Sequence, residues 1–238
     1  MGLSEVAIYG GHDQTIKADY INPLNFFQAN QYGKGVWING FWAVDLFWKP
    51  KKNITFFNQF FIDDFDVKKE NRAIYPDRLA FTSKLTLTDL FLPGAQFYSV
   101  YNRDENWTYI SFKSWENYLF QQKSMGFPKN SVESVKFGFD YFGRPPFIFN
   151  FQTGYERHGD QDLTGAFLAT KGRFPMGVVQ YLFYNDLSVT YMPSTNYYAI
   201  LNTHWESYKN AGHIDSESFV DFSVFLRLYA TINWNFVF

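Results

Sequence analysis

The chain has 238 residues, of which 22% are Phe, Tyr or Trp and 18% are charged, and its formal net charge is -2. That balance offers nucleic acid no electrostatic footprint, and the absence of cysteine removes disulfides and thiolate metal sites. No run of about eighteen apolar residues occurs, so a membrane-spanning helix is excluded, whereas an aromatic excess suits strands that face lipid.

The first element, Leu3 to Tyr9, alternates weakly and ends at Gly10-Gly11, a turn signal. Asn22-Pro23 can start a short helix, with Asn22 as N-cap and Pro23 in the first turn. Strands are then expected at Val36–Trp48, Ile54–Phe65, Leu79–Phe91, Ala95–Trp107, Val132–Phe142, Phe147–Arg157, Val178–Tyr191 and Asn196–Tyr208. Each places apolar residues in one register and polar ones in the other. In the strand from Val132, for instance, Val135, Phe137, Phe139 and Tyr141 oppose Ser134, Lys136 and Asp140. From Ser218 to Phe238 the alternation is longest, with Val220, Phe222, Val224, Leu226 and Leu228 on one face and Asp221, Ser223 and Arg227 on the other. A bilayer-crossing strand needs about ten residues, and a run of this length reads as the closing strand of a barrel.

The connections alternate between long and tight. The tight ones contain Pro50, Pro93, Pro145-Pro146 and Pro193, and proline both presets a turn and cannot continue the ladder. Bacterial barrels pair short periplasmic turns with long outer loops, so one parity assigns the proline turns to one side and every long loop to the other. The expected fold is all-β, an antiparallel up-and-down transmembrane β-barrel of about ten strands, or the C-terminal part of a larger barrel. Residues 1–238 form a single barrel domain on this reading. Its expected location is the outer membrane of a Gram-negative-type bacterium, with outer-membrane lipid as its partner. Met1 is followed by no basic and apolar leader, so either a leader was removed or the chain is an N-terminally truncated fragment, and the fragment is expected because the first residues already read as strand.

Functional chemistry is sparse. The four histidines, His12, His158, His204 and His213, show no metal-ligand spacing, so no metal and no cofactor are expected. Asp63, Asp64 and Asp66 read as a solvated charged rim rather than a calcium site. Ser188, His204 and Glu206 share a lumen face and make a hydrolase conceivable, but no spacing signature selects them, and no catalysis is expected. Inward Asp45, Asp63, Asp140, Glu156, Asp186 and Glu206 outnumber Lys84, Lys136 and Arg227, so an open lumen would mildly prefer cations. The long loops combine aromatic and polar residues, which suits sugar rings that stack on aromatic faces while amides and charges bind their hydroxyls. Tyr20, Arg72, Trp107, Tyr109, Trp115 and Tyr118 are the candidate glycan ligands.

Three segments carry a family resemblance: Glu5-Val-Ala-Ile-Tyr-Gly-Gly, Asp19-Tyr-Ile-Asn-Pro-Leu-Asn-Phe-Phe and Phe60-Phe-Ile-Asp-Asp-Phe. In this order they resemble segments of the Wzi-like capsule assembly family of outer-membrane barrels, over about the first seventy residues of this chain. The resemblance implies a large barrel that holds capsular or other surface polysaccharide at the cell surface by lectin-like binding. Its barrels have more strands than the ten counted here, and no family ligand residue matches a position of this chain one to one. A passive porin or transport channel is the alternative from composition and topology alone.

Overall fold

The fold was analysed in a computed structural model that describes residues 1–8, 38–64, 77–126, 129–144, 146–165, 167 and 172–231, with backbone alone at Asp64 and Arg144. The expected helix at Asn22-Pro23 and the terminal Trp234, Phe236 and Phe238 lie outside these residues.

Among the described residues twelve strands form: β1 Gly2–Ile8, β2 Asn39–Lys51, β3 Ile54–Asp64, β4 Arg78–Thr88, β5 Ala95–Asp104, β6 Leu119–Phe120, β7 Lys123–Ser124, β8 Val132–Arg144, β9 Phe147–His158, β10 Gln180–Ser194, β11 Tyr197–Lys209 and β12 Ser218–Ala230. Ten of them make one sheet in the order β1-β2-β3-β4-β5-β8-β9-β10-β11-β12, and β6 and β7 form a separate small hairpin. Every pairing is antiparallel. This is an all-β, up-and-down, barrel-like meander. The β6–β7 hairpin was not foreseen, since two-residue strands carry no alternation to read.

The two registers separate as the sequence requires. One face carries Trp42, Leu46, Trp48, Phe60, Phe137, Phe151, Phe183, Leu201 and Phe222, all exposed. Asp45, Gln59, Thr82, Asn102, Ser134 and Glu156 form a continuous polar row on the other face, each opposite the next across the ladder. On β12, at the sheet edge, exposure reaches 62% at Phe222 and 75% at Leu228.

Two expectations are corrected. Pro50 and Pro193 do not form the turns; they lie inside β2 and β10, where the register shifts between Trp48 and Lys51 and between Tyr191 and Ser194. A proline lacks the N–H that a ladder needs, so it falls at an irregularity, and the reversals follow at Lys52-Asn53 and Thr195-Asn196. The turn after β4 is wider, with the Gly94 amide donating to Asp89 Oδ1 at 2.6 Å. Nor is β12 a closing strand among the described residues: it pairs with β11 only, β1 pairs with β2 only, and no ladder joins β1 to β12. A barrel closes only when first and last strands pair, so this sheet is open.

On the polar face, two tyrosines lie flat over glycines of the neighbouring strand. A Cβ at Gly138 would fall 2.0 Å from the Tyr98 ring, and one at Gly154 would fall 2.4 Å from that of Tyr184. Lys84 Nζ in turn sits 5.5 Å from the Tyr98 ring centroid. Gly138→Ala is predicted to cost about 1–3 kcal/mol through overpacking, measured as the urea unfolding midpoint of the lipid-reconstituted chain. Combining it with Tyr98→Ala should remove the clash component, so the two changes will be non-additive; strict additivity would refute the contact.

Candidate functional site

Side chains with chemical potential gather in two places: the polar face of β8–β11 and the two long loops after β5 and β9. On the sheet, antiparallel register sets Asp186 opposite both Gln152 and His204. Gln152 Nε2 donates to Asp186 Oδ2 at 2.6 Å, and the His204 ring joins Asp186 through Nδ1 and Glu206 through Nε2, the latter at 3.1 Å. Asn150 Nδ2 donates to Asp140 Oδ1 at 2.9 Å. Asp140, Asn150, Gln152, Asp186 and His204, with Tyr98, Ser188 and Asn202, line a cavity of about 340 Å³. Both imidazole nitrogens of His204 are thus turned to carboxylates. The surface is a polar, carboxylate-rich wall with amides held by neighbours.

The described residues of the loop after β5, 105–126 and 129–131, fold onto the polar face at β2–β5. Its anchor is a buried ion pair: Arg78 Nη1 lies 3.4 Å from Asp63 Oδ1 and donates to the Ile110 carbonyl at 2.5 Å. Asp63 Oδ2 accepts the Tyr109 amide at 2.7 Å, and the Tyr109 hydroxyl donates to Asp104 Oδ1 at 2.7 Å. Asp63 was expected in a solvated rim and is instead buried, because loop backbone groups need partners once water is excluded. Asn39 Nδ2 adds a bond to the Glu116 carbonyl at 3.1 Å.

The described residues of the second loop, 159–165, 167 and 172–179, are tied to the first by side-chain hydrogen bonds. Asn117 Oδ1 accepts the Ser111 amide, while its Nδ2 donates to the carbonyls of Leu163 and Gly165, each bond 2.8 Å long. Ser131 Oγ donates to Asn106 Oδ1 and accepts the Met176 amide. Trp107, Ile110 and Phe167 pack between the loops as a small apolar core, with Leu163 and Met176 against it. Asp162 is held below the usual carboxylate range by the hydroxyl and amide of Thr164, and burial pushes the Tyr118 phenol up.

The candidate glycan ligands therefore part company. Trp107 and Tyr109 are only 3% and 4% exposed and have their rings packed, Trp107 against Phe167 and Tyr109 against Phe61 and Tyr118. As buried packing residues they offer no face to a sugar. Tyr118 is half-buried against Phe41, Phe61 and Tyr109. Trp115 stands 58% exposed, alongside exposed Phe112 and Phe120. Tyr20 and Arg72 lie outside the described residues. Sequence reasoning missed Arg78, Asn117 and Ser131, each of which has at least one partner among loop backbone atoms thirty or more residues away. Near the tip of these loops a cleft of about 520 Å³ is lined by Leu119, Gln122, Lys123, Lys129, His158, Gln161 and Asp162, among others.

Arg78→Met leaves Asp63 buried without its cation and is predicted to destabilise by about 3–5 kcal/mol. Limited proteolysis should then cut within residues 105–131 while the sheet stays intact; an unchanged cleavage pattern would show that the ion pair does not hold the loop.

No protein-family model matches the sequence, and no curated protein matches it. Among solved structures the chain is similar to Pseudomonas aeruginosa OccK10 (OpdN), with 12% identity and a TM-score of 0.38, the match covering 83% of this chain and 62% of that one.

Proposed function

We propose that the chain is the wall of a bacterial outer-membrane β-barrel that binds capsular or other surface polysaccharide on its loop side and catalyses nothing. The observation that carries the membrane part is the exposed apolar register, which runs across the sheet from Trp42 on β2 to Leu228 on β12. An apolar patch of that extent is foreign to a protein surface in water, and in a bilayer the same strands have every inner backbone group satisfied by the ladder. The polar register then faces the barrel interior.

Support for the polysaccharide part is the resemblance to the Wzi-like family together with the build of the loops. They are cross-linked by buried hydrogen bonds, so an exposed aromatic such as Trp115 is carried on an ordered support. The cleft lined by Leu119, Gln122, Lys123, Lys129, Gln161, Asp162 and Leu163 offers amides, a carboxylate, lysines and leucine side chains, the mixture that polar-ligand sites use. A passive channel is the second reading, favoured by the polar interior wall with Asp140, Asp186 and Glu206.

Co-sedimentation of capsular polysaccharide with proteoliposomes separates the two. Binding that falls by roughly fivefold or more with Trp115→Ala and stays unchanged in a Trp48→Phe control is the expected result. A steady conductance with no polysaccharide retained would replace the lectin reading by the channel. In that case reversal potentials in a salt gradient should show mild cation preference, and anion preference would contradict the interior register.

A further inference from the structure

On the exposed side of the sheet, one row differs from all those below it. Arg103 pairs across the ladder with Glu133, Glu133 with Arg157, Arg157 with Tyr181, and Tyr181 with Lys209. These five residues therefore sit side by side on five consecutive strands, β5, β8, β9, β10 and β11, spanning roughly 19 Å at ordinary strand spacing. They share the register of exposed Phe137, Tyr155 and Phe183, so they belong to the outer face and not to the interior.

The height of the row is informative. It lies at the loop end of the strands, and the next residues down in the same register are Val135, Tyr155 and Phe183. Ten residues from Arg157 along β9 comes Phe147, which packs against Tyr191 beside the tight turns. Ten residues of strand tilted at about 40° rise roughly 25 Å, the height of the apolar band of a membrane barrel. The charged row thus stands at the upper border of that band, at headgroup level.

The row is also built. Glu133 receives Arg157 Nη2 at 2.5 Å and stands 3.6 Å from Arg103 Nη1, and Arg103 Nη2 reaches Glu105 at 2.7 Å. Phe174, from the loop after β9, lies over both guanidinium groups, with its centroid 4.2 Å from Arg103 and 5.5 Å from Arg157. Lys209 Nζ lies 6.0 Å from the Tyr181 ring. Three cations against two carboxylates leave the patch positive, and both arginine side chains remain about one-third exposed. Planar guanidinium forks fixed on an aromatic ring suit phosphate oxygens.

We propose that Arg103, Arg157 and Lys209 bind the phosphate groups of an anionic lipid in the outer leaflet, with Phe174 and Tyr181 orienting the cations. The proposal rests on the membrane reading above, and a single experiment keeps the two apart. The whole chain is reconstituted in phosphatidylcholine vesicles and titrated with fluorescently tagged diphosphorylated lipid A, with lipid A stripped of its phosphates, and with inorganic phosphate as competitor. Expected are saturable binding of the diphosphorylated lipid, at least about tenfold weaker binding in the Arg103→Gln/Arg157→Gln/Lys209→Gln variant, and tighter binding in Glu133→Gln, a gain that misfolding cannot mimic. Equal binding of the stripped lipid, or unchanged affinity in both variants, overturns the site. Displacement by inorganic phosphate at matched ionic strength would make it a free-anion site and overturn the assignment to lipid. Removal of the protein from plain vesicles by an alkaline wash would refute the membrane reading itself.

Discussion

A β-strand sends successive side chains to opposite sides, and in this chain the two sides suit different solvents. That constraint governs nearly everything else. Once Trp42, Phe137, Phe183 and Phe222 share one face and Asp45, Gln152, Asp186 and His204 the other, a slip of one residue would invert every strand. The register is fixed along ten strands, and the ladder pairs the backbone from strand to strand.

Polarity of the inner face explains the loops. A long segment lying on an apolar wall would strand its amides and carbonyls. Here residues 105–126 and 129–131 lie on a wall that offers Asp63, Arg78, Asn39 and Asp104 as partners. The second loop is fastened to the first by Asn117 and Ser131 and covers Trp107 with Phe167. Among the described residues the loops share a small core of their own, while Trp115 is exposed and a cleft opens between Leu119 and Asp162. The proposed binding at the loop side and the proposed lipid contact at the outer wall both rest on this one separation of polar and apolar faces.

Strands were legible because their signal is local and repeats. The structure's β8, Val132–Arg144, and β9, Phe147–His158, lie within two residues of the alternation read from the sequence. Turn chemistry was read less well: Pro50 and Pro193 signal irregularity, but a bulge before a turn and the turn itself leave the same mark in one dimension. The loop aromatics were the hardest. Trp107 and Trp115 sit in like composition eight positions apart, and only the folded loop decides that the first fills a core and the second meets solvent. Asp63 fell in a charged stretch and was read with its neighbours, whereas its fate was set by Arg78 and by the Tyr109 amide, forty-six residues away.

The chain contains no cysteine, so single cysteines can be introduced one at a time along β12 and spin-labelled in lipid vesicles. The central claim is that the outward register meets hydrocarbon. Labels at positions 220, 222, 224 and 226 should collide with oxygen dissolved in the bilayer, and those at 221, 223 and 227 with a water-soluble nickel chelate, alternating residue by residue. Uniform access of the chelate to both sets would contradict a lipid-facing sheet and with it the account built on it.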